Sequence, residues 1–338
     1  MSERATQEAD SFVLQLAFLY RELGEELSSA YDNWLIGPLQ LACNECYTLA
    51  LLSGTAGEAS GSNFGESLNS VADKLRSAFQ SMNKHITEHD KLHLSKKWGA
   101  LYAANLAAKC MFKLQRMQQA EYLYRPVTNP SFPPLHEFPR SQQVTYRFYC
   151  GRLALSSGNL AAANEHLSYA AKHCHRSSKH NAQLIMRYLV PVRMSLGQLP
   201  LARLLEKHGL AEYAELSQAM REGDVRTFVR AKDTFQLQYI KIGVFLLIER
   251  LTLVVYRRLL QRLRLVLGSK HLPLPAIECA FKSSGVDFTQ EEVHCIVARL
   301  VTEKLMKCQI SLSSNIVLMP EHAFPPLKKK KVQVGTHS

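Results

Sequence analysis

The chain has 338 residues, 46% of them hydrophobic and 21% charged, and a formal net charge of +12. That apolar content fills one large domain or two and excludes a globally disordered chain. The longest apolar stretch, GVFLLIERLTLVVY, is interrupted by Glu249 and Arg250, short of the roughly 20 apolar residues a membrane helix needs, so no membrane partner is expected.

The start, MSERATQEAD, is polar and acidic and does not read as a signal peptide. Eight cysteines without framework spacing read as reduced thiols, so a soluble intracellular chain is expected. Residues 1–52 look helical, with a break at Gly37-Pro38, and residues 53–66, SGTAGEASGSNFGE, read as a small-residue linker. Next, SKKWGALYAANLAAKCMFKL (95–114) predicts an amphipathic helix and QRMQQAEYLY begins a shorter one. The proline-rich RPVTNPSFPPLHEFPR separates this pair from the following ones.

Two further helix pairs join at Gly158 and Gly197. Their joints align: Ser156-x-Gly158-x-Leu160-x-x-Ala163 recurs as Ser195-x-Gly197-x-Leu199-x-x-Ala202. Met117-x-x-Ala120 and Gly223-x-Val225-x-x-Phe228 are weaker echoes. A glycine closing one helix, then an apolar and a small residue opening the next, is what tight antiparallel pairs require, so residues 95–250 predict a degenerate helical repeat of the TPR or HEAT kind. Pro191 removes one backbone donor inside its helix and is expected to kink it.

Beyond an apolar helix near 235–249 a different module is expected over residues 251–322. Tyr256–Leu267, Pro275–Lys282 and Thr289–Lys304 read as three helices, and KCQISLSSNIVLM as a hairpin around Ser313-Ser314-Asn315. Three helices and a two-stranded wing make a winged helix, and Thr289 with Glu292 forms a capping box at the third helix. The domain boundaries expected are 1–94, 95–250, 251–322 and a basic tail, 323–338.

Candidate sites fall into two kinds. KHCHRSSKHNAQ (172–183) brings His173, Cys174, His175 and His180 close in sequence. Adjacent helical residues step roughly 100° apart, so consecutive side chains do not converge on one metal. Cys174 continues the stripe Leu160, Ala163, Leu167, Ala170 and reads as core, while His173, His175 and Arg176 supply positive charge to the helix end. HITEH, with His85, Glu88 and His89, matches the inverted zinc-protease pattern and carries a remote zinc-hydrolase alternative; its polar flanks fit an exposed helix face. Cys43-x-x-Cys46 lies in an apolar run and reads as core packing. No phosphate loop or nucleophile elbow is present, so no enzyme, cofactor or metal is expected.

The second kind is basic. Arg257, Arg258, Arg262, Arg264 and Lys270 lie within fourteen positions free of acid, and Lys282, Lys304 and Lys307 share their module. Such clustering suits a nucleic-acid backbone or an acidic protein. Gln290-Glu291-Glu292 opens the third helix, and its negative charge argues against base-specific reading. Reversing Arg257 and Arg258 to Glu is expected to weaken RNA or DNA binding without unfolding the chain. Lys328, Lys329, Lys330 and Lys331 read as a nuclear localisation signal or a solvated basic tail.

SKKWGALYAANLAAKCMFKL, QQVTYRFYCGRLAL, HLSYAAKHCHRSSKHNAQLIMRYLVPVRMSLGQLP and the closing FPPL together resemble the PCI family, in particular its Thp-type subunit of the nuclear transcription-and-export complex. The resemblance covers about residues 95–327. It implies a mainly α fold, a right-handed helical-repeat superhelix ending in a winged helix. It further implies a non-catalytic scaffold in mRNA export, nuclear with shuttling to the cytoplasm. The implied partners are a large Sac/GANP-type PCI scaffold, a small acidic Sem/DSS-type subunit, and RNA or DNA. The basic residues of the winged helix would form part of a joint surface with the partner PCI subunit. The front of the chain matches poorly and looks shorter than is usual in the family. A PCI subunit of a signalosome-, proteasome-lid- or translation-initiation-type complex is the alternative.

Overall fold

The computed structural model describes residues 36–56, 64–84, 95–311 and 314–327. Among them helices dominate, and none is long and apolar enough to cross a membrane. The chain divides into two compact units between Leu153 and Ala154, inside the stretch expected to be one helical-repeat part.

In the first unit α1 (Ile36–Ala56), α2 (Phe64–Lys84) and α3 (Ala100–Lys113) pack together. Gly37 and Pro38 do not break α1; they occupy its first turn, where proline costs no helical hydrogen bond. Helix α1 runs on to Ala56 and α2 starts at Phe64, so part of the expected 53–66 linker, at both of its ends, is helical. Lys96–Gly99 is a 3₁₀ turn, and α3 is buried almost all round rather than on one face, because Ala103, Ala104, Ala107 and Ala108 let its neighbours approach closely.

Helices α4 (Met117–Tyr124) and α5 (Arg140–Ser156) follow, with the proline-rich connection folded into 3₁₀ turns at Arg125–Thr128 and Leu135–Glu137. Phe132 and Phe138 stack at 5.5 Å and anchor it. The buried Asn105 ties three helices: its amide donates to the Gln142 carbonyl at 3.0 Å and its oxygen accepts from the Tyr124 hydroxyl at 3.0 Å. Asn105→Ala is therefore expected to lower stability by about 2 kcal/mol, because the buried Tyr124 hydroxyl is left without its acceptor and the tie to the Gln142 carbonyl is lost; the denaturant midpoint reads this.

The second unit continues with α6 (Leu160–His173), α7 (Lys179–Ser195), α8 (Ala202–His208), α9 (Ala214–Glu222), α10 (Val225–Thr234) and α11 (Gln236–Ile242). The predicted joints share one closure. Gly158, Gly197 and Gly223 have φ of 75°, 79° and 74°, and the next residue donates to the carbonyl five positions back at 2.8, 2.8 and 3.0 Å. At the weakest echo Gln115 takes the left-handed position, φ 58°, with the same closure at 2.8 Å. Helix α7 runs through Pro191. A buried core of Tyr213, Tyr239, Leu216, Phe228 and Ile248 lies beneath, with the Tyr213 and Tyr239 hydroxyls donating to the Arg187 and Glu212 carbonyls at 2.8 and 2.6 Å.

Helix α12 (Phe245–Leu267) corrects the reading that ended one helix near 249 and began another at 256. Leu247, Leu251 and Val255 form one buried stripe across the supposed gap, and no glycine or proline interrupts it. Glu249 and Arg250 lie outside it, paired with Lys232 at 2.9 Å and Glu303 at 3.3 Å. The break falls instead at Gly243, φ 84°. There follow β1 (His271–Pro273), α13 (Leu274–Ser283), α14 (Gln290–Thr302), β2 (Gln309–Ser311) and β3 (Ile316–Leu318), an antiparallel sheet in the order β1-β3-β2. The capping box stands as expected, with Thr289 N–H donating to Glu292 Oε2 at 2.8 Å and Glu292 N–H to Thr289 Oγ1 at 3.3 Å. This is a winged helix following helical repeats.

Candidate nucleic-acid interface

The winged helix is fastened to the last helical repeat around Gly223. Helix α9 ends at Gly223, whose missing side chain lets α12 pass: a Cβ there would lie 3.0 Å from the Leu259 nitrogen. Ser284, just past α13, accepts from Val225 N–H through its hydroxyl at 2.8 Å and from Arg226 N–H through its carbonyl at 3.2 Å. Two free donors at the start of α10 are thus satisfied from the winged helix. Asp224 caps the same turn, accepting from Thr227 N–H at 3.1 Å. Partial burial works to raise its carboxyl, but hydrogen bonds from Thr227 and Arg226 prevail and hold it below the usual carboxylate range.

The eight basic residues singled out in the sequence do not form one patch. Arg257 is buried, at 8% exposure, with Nε donating to the Leu305 carbonyl at 2.8 Å and Nη2 to the Pro325 carbonyl at 2.7 Å, and with the Phe324 ring 5.6 Å away. The expectation that it could be reversed to Glu without unfolding the chain is corrected: a carboxylate there would face two carbonyl oxygens in a desolvated site. Arg258 and Arg262 are exposed, yet each lends a donor to the end of α9, Arg258 Nε to the Arg221 carbonyl at 3.1 Å and Arg262 Nη1 to the Glu222 carbonyl.

A second group surrounds the segment after β3. Arg264 reaches the Glu321 carbonyl at 3.4 Å, Met319 N–H donates to the Lys270 carbonyl at 2.8 Å, and Lys307 N–H donates to the Ala323 carbonyl at 2.7 Å. Lys270 and Lys307 themselves are exposed. Lys282 stands apart at the end of α13, 3.8 Å from Asp287. Lys304 takes φ 59° in the turn that closes α14 and is exposed. At the other end of that helix Glu291 and Glu292 are exposed in the first turn.

Arg226 was missed, because it lies outside the winged helix in sequence and joins it only through the fold. The Gly223 echo was the available signal. Its stem rests on Gly285, and its guanidinium makes no ion pair or hydrogen bond with another described residue.

The metal-like patterns stand as follows. Helix α6 ends at His173, Cys174 is half-buried at its cap rather than in the core, and His175 Nδ1 lies 2.6 Å from the Ser177 hydroxyl. Cys43, Cys46 and Cys110 are buried free thiols; burial above all pushes Cys43 and Cys110 up to about 12, which keeps them protonated and unreactive. Among the described residues no three His, Cys, Asp or Glu side chains gather to hold a metal. His85, Glu88 and His89, and Lys328 to Lys331, lie outside the described residues.

Comparison with known proteins accords with this architecture. The PCI domain pattern matches residues 201–321, from α8 to the end of the wing. PCI domain-containing protein 2 of Xenopus laevis is 34% identical over 235 residues, covering 69% of this chain and 58% of the frog protein, so the chain spans under two thirds of that relative. The PCI domain-containing protein 2 homolog of Drosophila melanogaster is 30% identical over 298 residues, 87% of this chain and 73% of the fly protein. The protein CSN12 homolog of Neurospora crassa is 26% identical over 354 aligned residues, 95% of this chain and 78% of its own length. PCI domain proteins are in general non-catalytic scaffolds. With helical repeats closed by a winged helix, and relatives alike along most of its length, the chain belongs to the PCI domain family.

Proposed function

We propose that the chain is a non-catalytic scaffold subunit of a nuclear, transcription-coupled mRNA-export complex. Its winged helix pairs with the large Sac/GANP-type PCI subunit, and the small acidic Sem/DSS-type subunit joins them. Exposed cations beside the wing hold RNA or DNA by its phosphates, without strong sequence preference. In this reading Lys328 to Lys331 address the chain to the nucleus.

The observation that carries the reading is the set Lys270, Lys304 and Lys307, exposed on a winged helix whose third helix opens with Glu291 and Glu292. Phosphates are attracted to the first group and repelled by the second, which favours backbone contacts over base reading. Likeness to the PCI domain-containing protein 2 group supports the choice of complex. Relatives under other names, such as the Neurospora protein matching 95% of the chain, favour a second reading, a PCI subunit of a signalosome-, lid- or initiation-type complex.

The test reverses lysines whose side chains hold no part of the fold together. Lys270→Glu, Lys304→Glu and Lys307→Glu combined are expected to weaken binding of a mixed-sequence RNA or DNA 20-mer at least about tenfold in fluorescence anisotropy. The slope of log affinity against log salt should fall by about one for each phosphate no longer neutralised. Unchanged affinity at low salt contradicts the reading.

A further inference from the structure

Between the α9–α10 joint, α12 and α13 lies an open cleft of about 450 Å³, lined by Glu222, Asp224, Arg226, Leu263, Val266 and Ser283 among others. We propose that this cleft binds a single-stranded nucleic-acid segment, with a base against α12 and the adjoining phosphates on Arg226 and Arg262. The proposal rests on the reading of the chain as a nucleic-acid-binding scaffold and adds a place and a strandedness to it.

Three features of the cleft carry it. One wall is apolar: Leu259, Leu263 and Val266 fall on one face of α12, and Val266 is 82% exposed with Leu265 beside it at 77%. A helix end with consecutive exposed apolar residues marks a surface that something covers. A flat base face is of a size and polarity to cover it, and the cleft lies within the roughly 300–1,000 Å³ typical of small-ligand sites.

The rim is cationic in a prepared way. Gly285 gives Arg226 room: a Cβ at 285 would lie 2.5 Å from the Arg226 Cδ. The stem is therefore seated while the guanidinium has no partner among the described residues, and Arg262 stands across the same cleft with one nitrogen on the Glu222 carbonyl. A seated arginine loses little freedom on taking up a phosphate.

The opposite wall sets the orientation. Asp224 accepts from the Thr227 N–H at Oδ1 and from the Arg226 backbone, and Ser283, whose hydroxyl donates to the Ala280 carbonyl at 2.8 Å, lines the same cleft. A phosphate is repelled from carboxylates, whereas ring and amino N–H groups of a base donate to them. The base therefore enters and the backbone stays out on the arginines. In a duplex those edges are paired and the faces stacked, so the cleft selects single strands. The platform is aliphatic rather than aromatic, and the preference is correspondingly modest.

The test uses the full chain and two probes of equal charge, a 12-nucleotide oligouridylate and a hairpin duplex, read by anisotropy at one salt concentration. The oligouridylate is expected to bind about tenfold tighter. Ser283→Trp, which fills the cleft mouth from an exposed position, and Arg226→Ala should each abolish that preference while leaving hairpin affinity and thermal midpoint unchanged. Equal binding of both probes, or variants that retain the preference, overturns the proposal. If the three lysine reversals weaken both probes while the cleft variants change nothing, the scaffold reading stands and the cleft assignment falls. If the oligouridylate does not bind and an acidic leucine-containing peptide does, with loss in Ser283→Trp, the cleft is a protein-docking site and the proposal is overturned.

Discussion

Arg257→Met is expected to lower the stability of the chain by about 3 kcal/mol, more than any other change among its basic residues. Methionine keeps the stem in its buried setting and deletes the head that holds the Leu305 and Pro325 carbonyls at 2.8 and 2.7 Å. Both carbonyls lose a charged donor, and the segment from Met319 to Leu327 loses its central tie. That segment continues past Phe324 until Leu327 rests on Gly197, where a Cβ would lie 3.0 Å from the leucine Cδ1. Arg257 thus fastens a strap that runs from the wing back to a helical-repeat joint. Limited proteolysis should cut the variant within the strap sooner than the parent. Arg258→Met, at an exposed neighbour held only by the Arg221 carbonyl and the Gln261 side chain, should stay within about 1 kcal/mol. A variant at 257 as stable as the parent but weaker in nucleic-acid binding would contradict this assignment.

Gly223→Ala is the second large effect, and Gly158→Ala is its control. The two glycines have nearly equal φ, 74° and 75°, so the left-handed backbone costs an alanine about 1–2 kcal/mol at either site. They differ in surroundings: nothing lies within 4 Å of a Cβ at 158, whereas at 223 the Leu259 nitrogen would be 3.0 Å away and its Cα 3.2 Å away. A backbone cannot swing aside as a flexible side chain can, so α9 and α12 must part. Gly223→Ala should therefore exceed Gly158→Ala by at least about 1 kcal/mol in denaturant unfolding. Equal losses would mean that the joint does not bear on α12.

What was legible in the sequence follows the range of the interactions. The joints at Gly158, Gly197 and Gly223 and the Thr289 box could be read because each is specified by residues within a turn of one another. Strand β1 could not, since three residues ending in Pro273 are too short to show alternation and depend on pairing with Ile316–Leu318. The continuity of α12 was hidden by Glu249 and Arg250, which look like a break until their partners Lys232 and Glu303 are known. Arg257 is the clearest case. Its hydrogen-bond partners lie 48 and 68 residues away, and in sequence it is one more cation in a basic run. The same remoteness concealed Arg226, whose place beside the winged helix is set by Ser284 and Gly285.

The central claim, a scaffold subunit that works by pairing through its winged helix, is tested most directly by purifying the tagged full chain from its own cells and identifying by mass what accompanies it. The account predicts a large Sac/GANP-type PCI protein and a small, very acidic subunit in stoichiometric amount. Recovery of the chain alone, or with signalosome or translation-initiation subunits in their place, would contradict it.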